Sequence, residues 1–260
     1  MQKRKNKPSK LLHQAYKNKQ LSAINQQPTT MNPTPHIKTE GTSKFQIGEI
    51  INNTVHYDFD KIKTYLNIKG HMLFGKNFRI YKEDEELIFK LCSYFIQDHH
   101  SCAEMGIDTN KGILLTGPVG CGKTSLMKLL LHLAPHKTNY EIIPTRNIVF
   151  KFNTSGFEVL EKYNETKNYC FDDVGVEPSG IHYAKECNVM GEILLSRYDL
   201  FIKKNPNNQQ PITINHSKTH ITTNLNAKEL EKRYGSRVRS RLREMFNLIS
   251  FNQNAIDKRL

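Results

Sequence analysis

Eight consecutive residues, Gly117-Pro118-Val119-Gly120-Cys121-Gly122-Lys123-Thr124, fill the pattern G-x-x-x-x-G-K-[ST] without a gap. The chemistry this spacing points to is the holding of phosphate. Glycines let a loop curl until successive backbone N–H groups face one anion, with no Cβ in the way. A helix that starts where such a loop ends adds the positive pole of its dipole. Lys123 is placed to reach the β- and γ-phosphates of a nucleoside triphosphate, and the Thr124 hydroxyl to ligate Mg²⁺. The candidate cofactor-binding stretch therefore runs Gly117, Pro118, Val119, Gly120, Cys121, Gly122, Lys123, Thr124, Ser125, with ATP and Mg²⁺ expected there.

Forty-nine residues after Lys123, the run Tyr169-Cys170-Phe171-Asp172-Asp173 is apolar and ends in two carboxylates. A strand that delivers a carboxylate beside a phosphate loop holds Mg²⁺ there, so Asp172 is the expected metal ligand, through water, alongside Thr124. Asp173 is then placed to orient or deprotonate the attacking water. Further on, Thr222-Thr223-Asn224-Leu225 ends another apolar stretch. The Asn224 amide at such a strand tip could hydrogen-bond the γ-phosphate and the lytic water. Taken alone, Asn224 is more often a helix or turn cap, and Asn226 before Ala227-Lys228-Glu229 has the pattern of one.

The last cluster is Tyr234-Gly235-Ser236-Arg237-Val238-Arg239-Ser240-Arg241-Leu242-Arg243. Gly235 can stop one helix and Ser236 can cap the next. At helical spacing Val238, Leu242 and Met245 form one apolar stripe. Arg237 and Arg241 share one flank of it, and Arg239 and Arg243 the other. One arginine pair could reach the phosphates held by a neighbouring subunit, where a planar, always-charged group stabilises transition-state charge. The other could touch the phosphates of a nucleic acid.

Positioning these groups requires strands that end at them. Apolar runs predict strands at Ile113–Thr116, Ile148–Phe152, Tyr169–Phe171, His220–Thr223 and Phe246–Phe251. Helices are predicted between them at Lys123–His132, Phe157–Tyr163, Val189–Ile202 and Ala227 to about Met245. Such alternation implies a parallel sheet wrapped by helices. Upstream, Leu87, Ile88, Leu91, Tyr94 and Phe95 form a helical stripe beginning after Glu83, with acidic residues in its first turn. The polar stretch Asn205–Ser217 reads as a surface loop.

The 260 residues carry 38 Lys and Arg against 25 Asp and Glu, a net charge of +13. The excess is confined to the ends. Residues 1–44 hold nine basic and one acidic residue, residues 227–260 nine basic and four acidic, and the stretch between them is neutral. A neutral body with basic ends suits a polyanionic partner. Residues 1–44 have few apolar side chains and scattered prolines, which predicts an unstructured basic arm. A lead-in segment at 45–80 and a core at 81–260 follow it. Five cysteines without a CxxC pair fit reduced thiols in the cytoplasm rather than a disulfide framework. No run of about 18 apolar residues is present to span a membrane.

Taken in order, the phosphate loop, FDDVGVE, a helix ending SRYD, ITTNL and YGSRVRSRL resemble the AAA+ ATPases of the DnaC-like helicase-loader class and the related ATP-binding subunits of insertion-sequence transposition. The resemblance covers about residues 80–251, and TTNL followed by YGxRVxSRL is its discriminating part. It implies an α/β P-loop NTPase core with a five-stranded parallel sheet in the order 5-1-4-3-2. It makes Lys123 and Thr124 Walker A, Asp172 and Asp173 Walker B, and Asn224 sensor 1. Arg241 matches the arginine finger, with Arg237 a second interface arginine. It also implies rings or spirals with ATP between protomers, binding to DNA with single strands favoured over the duplex that the transposition class would prefer, and a ring helicase or transposase as partner. Two departures stand out: Asp173 occupies a position that is often Glu, and the sequence stops soon after the last strand, where larger relatives carry a helical lid domain. Three other readings share part of this pattern: a mobile-element ATPase that marks target DNA, a monomeric P-loop enzyme with a small phosphate acceptor, and a non-hydrolysing ATP-binding scaffold.

Overall fold

The computed structural model describes residues 20–23, 34–52, 54–134, 139–203 and 217–259. Most of the predicted basic arm and most of the predicted loop at 205–217 lie outside the described residues. The chain divides into two compact units, residues 1–109 with 129–138, and residues 110–128 with 139–260. Within the first unit the helix Glu85–Ile96 packs with the helix Phe59–Phe74, with the Phe59 and Phe89 rings edge to face at 5.1 Å.

In the first unit, Gln20–Ala23, Thr54–Asp58 and Gly48–Ile51 form a three-stranded antiparallel sheet with Thr54–Asp58 at its centre. The Asp58 side chain caps the helix Phe59–Phe74 by accepting from the Asp60 and Lys61 N–H groups. Residues Ile37–Glu40 and Ser43–Gln46, which lie across the end of the predicted unstructured arm at 44, instead pair as a hairpin about Gly41. Composition misjudged this stretch because a single carboxylate anchors it. Glu40 takes hydrogen bonds from the Tyr65 hydroxyl at 2.9 Å and the Lys69 ammonium at 2.7 Å, both on the helix Phe59–Phe74.

The second unit is built on five strands, β1 (Gly112–Thr116), β2 (Glu141–Pro144), β3 (Tyr169–Asp172), β4 (Thr219–Thr223) and β5 (Phe246–Ser250). All are parallel, in the order β5-β1-β4-β3-β2. Strands β3 and β4 are buried along their whole length, which explains why they read as unbroken apolar or Thr-rich runs rather than alternating ones. Five helices accompany them: α1 (Lys123–Leu130), α2 (Thr145–Ser155), α3 (Glu158–Tyr163), α4 (Val189–Lys203) and α5 (Ala227–Met245). The core they enclose includes Ile148, Phe152, Phe171, Ile193, Ile221 and Leu242.

Two further expectations change. The predicted strand Ile148–Phe152 lies within α2, and the second strand is Glu141–Pro144. Its β-branched and aromatic content suggested a strand, but Ile148, Val149 and Phe152 are buried while Phe150 and Lys151 are exposed, which is a helical face. Seven described strands lie outside the five-stranded sheet. They include a hairpin of Gly180–His182 with Lys185–Cys187 that no sequence pattern announced.

Helix α5 follows its sequence closely. Asn226 and Glu229 form a capping box, each side chain bonding the other's backbone N–H. Gly235, at φ 87° and ψ 163°, breaks the helix, and Val238, Leu242 and Met245 are buried beyond it.

Candidate functional site

Strand β1 ends at Thr116, the loop 117–122 turns, and α1 starts at Lys123. Gly120 and Gly122 take positive φ, at 81° and 99°, as the tight turn requires. The Lys123 side chain is buried and folds back into the loop, donating to the Gly117 carbonyl at 2.8 Å and the Pro118 carbonyl at 2.9 Å. Its ammonium thus already sits inside the curl of backbone that would surround a phosphate.

Strand β3 runs parallel to β4 and brings Asp172 to the same end of the sheet. The Thr124 hydroxyl donates to the Asp172 carboxylate, 2.8 Å from Oδ1 and 3.0 Å from Oδ2. Thr222, on β4, donates its hydroxyl to Asp172 Oδ1 at 2.7 Å and accepts the Asp173 backbone N–H at 2.9 Å. The carboxylate is therefore held from two sides with its plane fixed. Parallel strands end together, so residues 116, 172 and 223 of three strands arrive side by side although long stretches of sequence separate them.

The hydroxyl of Thr124 and the carboxylate of Asp172 are hard oxygen ligands in contact, the donor set that Mg²⁺ takes together with substrate phosphates and water. The residues present fit that ion. Asp173 sits at φ 57°, its own carbonyl accepting from the Thr145 hydroxyl at 3.0 Å. Desolvation, and then the neighbouring Asp172 charge, raise the pKa of its carboxyl, while Lys123 and Arg259 oppose the rise.

A β1 buried up to its last residue, a glycine loop opening α1, and a β3 carboxylate in contact with the first turn of that helix settle the architecture. The core has the P-loop NTPase fold. No family model matches the chain, and no curated protein matches it. Among solved structures, 86 chains match. The chain is similar to the DnaC helicase loader, at 22% identity over 55% of this chain and 79% of that one, with a TM-score of 0.39. It is similar also to a protein described as a candidate primosome component from Streptococcus pyogenes serotype M3, at 17% identity over 68% of this chain and 83% of that one, with a TM-score of 0.44.

The structure thus brings Lys123, Thr124, Asp172 and Asp173 together. Asn224 is exposed at the tip of β4, one residue beyond the strand. The arginines of α5 lie elsewhere. Arg241 places its guanidinium over the Tyr198 ring at 4.9 Å, on α4, Arg239 pairs with Glu231 at 2.6 Å, and Arg237 and Arg243 are exposed. Among the described contacts none joins Arg237 or Arg241 to the loop 117–124.

Three residues at the site carry no role in the sequence reading. Thr222, which braces Asp172, was legible only as part of ITTN. Glu177, the last residue of FDDVGVE, is buried and accepts the Gly175 N–H at 2.8 Å and the Tyr234 hydroxyl. Lys258 bonds the phosphate loop itself, and nothing in its surroundings in the sequence marked it.

Proposed function

We propose that the chain binds ATP with Mg²⁺, hydrolyses it, and assembles on DNA as a replication accessory of the helicase-loader kind. The contact of Thr124 with Asp172, beside a loop already filled by Lys123, is the observation that carries this reading. It pairs the two oxygen ligands an NTPase needs before any nucleotide arrives, which is electrostatic preorganisation. Mg²⁺ bound there would neutralise charge developing on the β- and γ-phosphate oxygens.

The chain's own residues do the rest. The loop N–H groups and the first turn of α1 hold phosphate oxygens. Lys123 exchanges its two carbonyl partners for phosphate, a stronger acceptor. Asp173, its carboxyl pKa raised by burial and then by Asp172, orients the attacking water or takes a proton from it. Asn224 at the β4 tip orients that water. Arg241, with Arg237, reaches the phosphates of the adjacent protomer, so that hydrolysis depends on assembly. Support for the DNA half comes from charge: the ends of the chain carry the whole +13 excess, and a salt-sensitive phosphate contact needs such groups. The expected protein partner is a ring helicase.

The test is ATP turnover against protein concentration, with and without single-stranded DNA, for wild type and Arg241→Ala. Turnover that rises faster than linearly, responds to DNA and collapses in the variant supports the reading. Linear turnover indifferent to DNA and to Arg241 would leave a monomeric P-loop enzyme. A preference for duplex DNA would favour a transposition ATPase.

A further inference from the structure

The carbonyl oxygens of the phosphate loop have an unusual set of partners. Those of Gly117 and Pro118 point inward to Lys123. That of Gly122 accepts the Leu126 N–H inside α1. Gly120 and Cys121 point the other way, and both are held by one residue beyond β5. The Lys258 backbone N–H donates to the Gly120 carbonyl at 3.0 Å, and the Lys258 ammonium donates to the Cys121 carbonyl at 2.8 Å.

The segment around Lys258 is seated closely. The Phe251 N–H donates to the Thr116 carbonyl at 2.8 Å, and Phe251 packs beneath Gly117, where an added Cβ would lie 2.7 Å from the Phe251 Cβ. The Lys258 ammonium lies 4.9 Å from the centre of the Phe251 ring. Asp257 rests against Gly120 so closely that a Cβ there would lie 2.1 Å from its carboxylate. Arg259 clasps that carboxylate through its Nε at 3.0 Å and its Nη2 at 2.6 Å, which holds Asp257 ionised, with its pKa down at about 2.

We infer that residues 251–259 form a strap that fixes the phosphate loop from its outer side, and that Lys258 is a positioning residue for nucleotide binding. The inference rests on the reading of the loop as a nucleotide site. A peptide unit points its C=O and N–H in opposite directions. Pinning the Cys121 carbonyl outward therefore turns the N–H of the following residue, Gly122, toward the side where phosphate binds, while the Cys121 N–H closes back on the Pro118 carbonyl at 3.4 Å. A loop of three glycines is otherwise free to sample other conformations, and a ligand would have to supply the cost of ordering it. The strap meets that cost within the chain. It also fits glycine at 120, where the positive φ would strain any other residue and an added Cβ would have to displace the Asp257 carboxylate.

The test is the affinity of a fluorescent ATP analogue, with Mg²⁺, for the full chain and for Lys258→Met, Lys258→Arg and Lys123→Ala, beside the melting temperature of each. Lys258→Met should weaken binding about tenfold, the scale of losing preorganisation at one or two contacts, with its melting temperature close to wild type. Lys258→Arg, which keeps a donor for Cys121, should recover most of the affinity. Hydrogen exchange gives a second readout: the Lys258 amide should be protected in the free chain and slow further when the analogue binds. Folded wild type that binds no analogue would overturn the nucleotide reading itself. Wild-type binding that Lys123→Ala abolishes and Lys258→Met leaves intact would overturn the strap alone. Affinity and melting temperature that fall together in Lys258→Met, without recovery in Lys258→Arg, would also overturn it, since that pattern marks a role in stability only.

Discussion

The Tyr234 hydroxyl donates to the buried carboxylate of Glu177. That bond joins the loop leaving Asp172 and Asp173 to the residue just before the break in α5 at Gly235. Arg233 lies on the same group, its guanidinium donating to the Glu177 carbonyl and standing 3.8 Å from the carboxylate. The Gly175 N–H supplies a further donor at 2.8 Å. A carboxyl group out of water is tolerable only with several partners around it. Here they come from both of the elements whose relative placement decides where the α5 arginines point.

Replacing Tyr234 with Phe removes one donor and leaves the buried acceptor in place. The cost should be about 1–3 kcal/mol of unfolding free energy, as for a buried polar partner left short of a bond. Urea unfolding with an unchanged m-value would register it. A loss below about 0.5 kcal/mol would show that Arg233 and Gly175 alone satisfy the group. Glu177→Gln, which keeps an acceptor for Tyr234, should cost less than Glu177→Ala.

Lys123→Ala should abolish tight ATP binding, because the variant loses the only lysine described inside the loop. Calorimetric titration decides this, and retained affinity would remove the phosphate-loop assignment. Asp172→Asn is the informative contrast. The amide can still accept from Thr124 and Thr222 but no longer offers a negative oxygen to Mg²⁺. Hydrolysis should fall by about two orders of magnitude or more, the scale of losing one preorganised electrostatic contact, while nucleotide binding changes far less.

Arg241 rests on the face of Tyr198, 4.9 Å from the ring centre, and the Tyr198 hydroxyl is itself held by Glu244 at 2.6 Å. This holds the guanidinium over the ring, and the proposed role in trans requires it to reach a neighbouring subunit from there. Arg241→Ala should bind ATP normally and lose about a thousandfold or more in turnover, the range for an arginine supplied in trans. Mixing it with Lys123→Ala should restore part of the activity, because some shared sites then combine an intact loop with an intact arginine. Absence of any recovery would argue that each site is complete within one chain.

Local backbone features were more legible in the sequence than long-range contacts. The residues Gly117–Thr124 announce a loop because only glycine tolerates its turns, and the Asp172–Asp173 pair announces a strand end because charge cannot sit inside a sheet. The break at Gly235 and the cap at Asn226 were readable for similar local reasons. What stayed hidden depends on contacts made at long range. Ile148–Phe152 has strand-like side chains, and only packing against the core shows that its buried residues follow a helical period. The hairpin 37–46 looks too polar to order until Glu40 finds Tyr65 and Lys69. Lys258 sits in a polar stretch, and its partner carbonyls lie more than 130 residues earlier.

A last case shows how such a contact sets a response to pH. His220 lies wholly buried in β4, where its Nδ1 accepts the Ile113 N–H at 3.1 Å and its ring packs 4.9 Å from that of Tyr140. Accepting that bond requires the neutral ring. Desolvation, followed by repulsion from Lys218 and Arg197, lowers its pKa from 6.5 to about 3. The unfolded chain therefore binds a proton below pH 6.5 that the folded chain refuses. Stability from this group is complete above pH 6.5 and is lost as pH falls from there toward 3. The loss approaches about 1.4 kcal/mol per pH unit, so about 2 kcal/mol by pH 5, above the range where most carboxylates begin to titrate. In His220→Asn the amide oxygen can accept the Ile113 N–H but does not titrate. Between pH 6.5 and 5 its unfolding free energy should stay level by that amount relative to wild type, whatever its absolute value. Parallel curves for the two proteins would mean that His220 takes up its proton within the folded sheet.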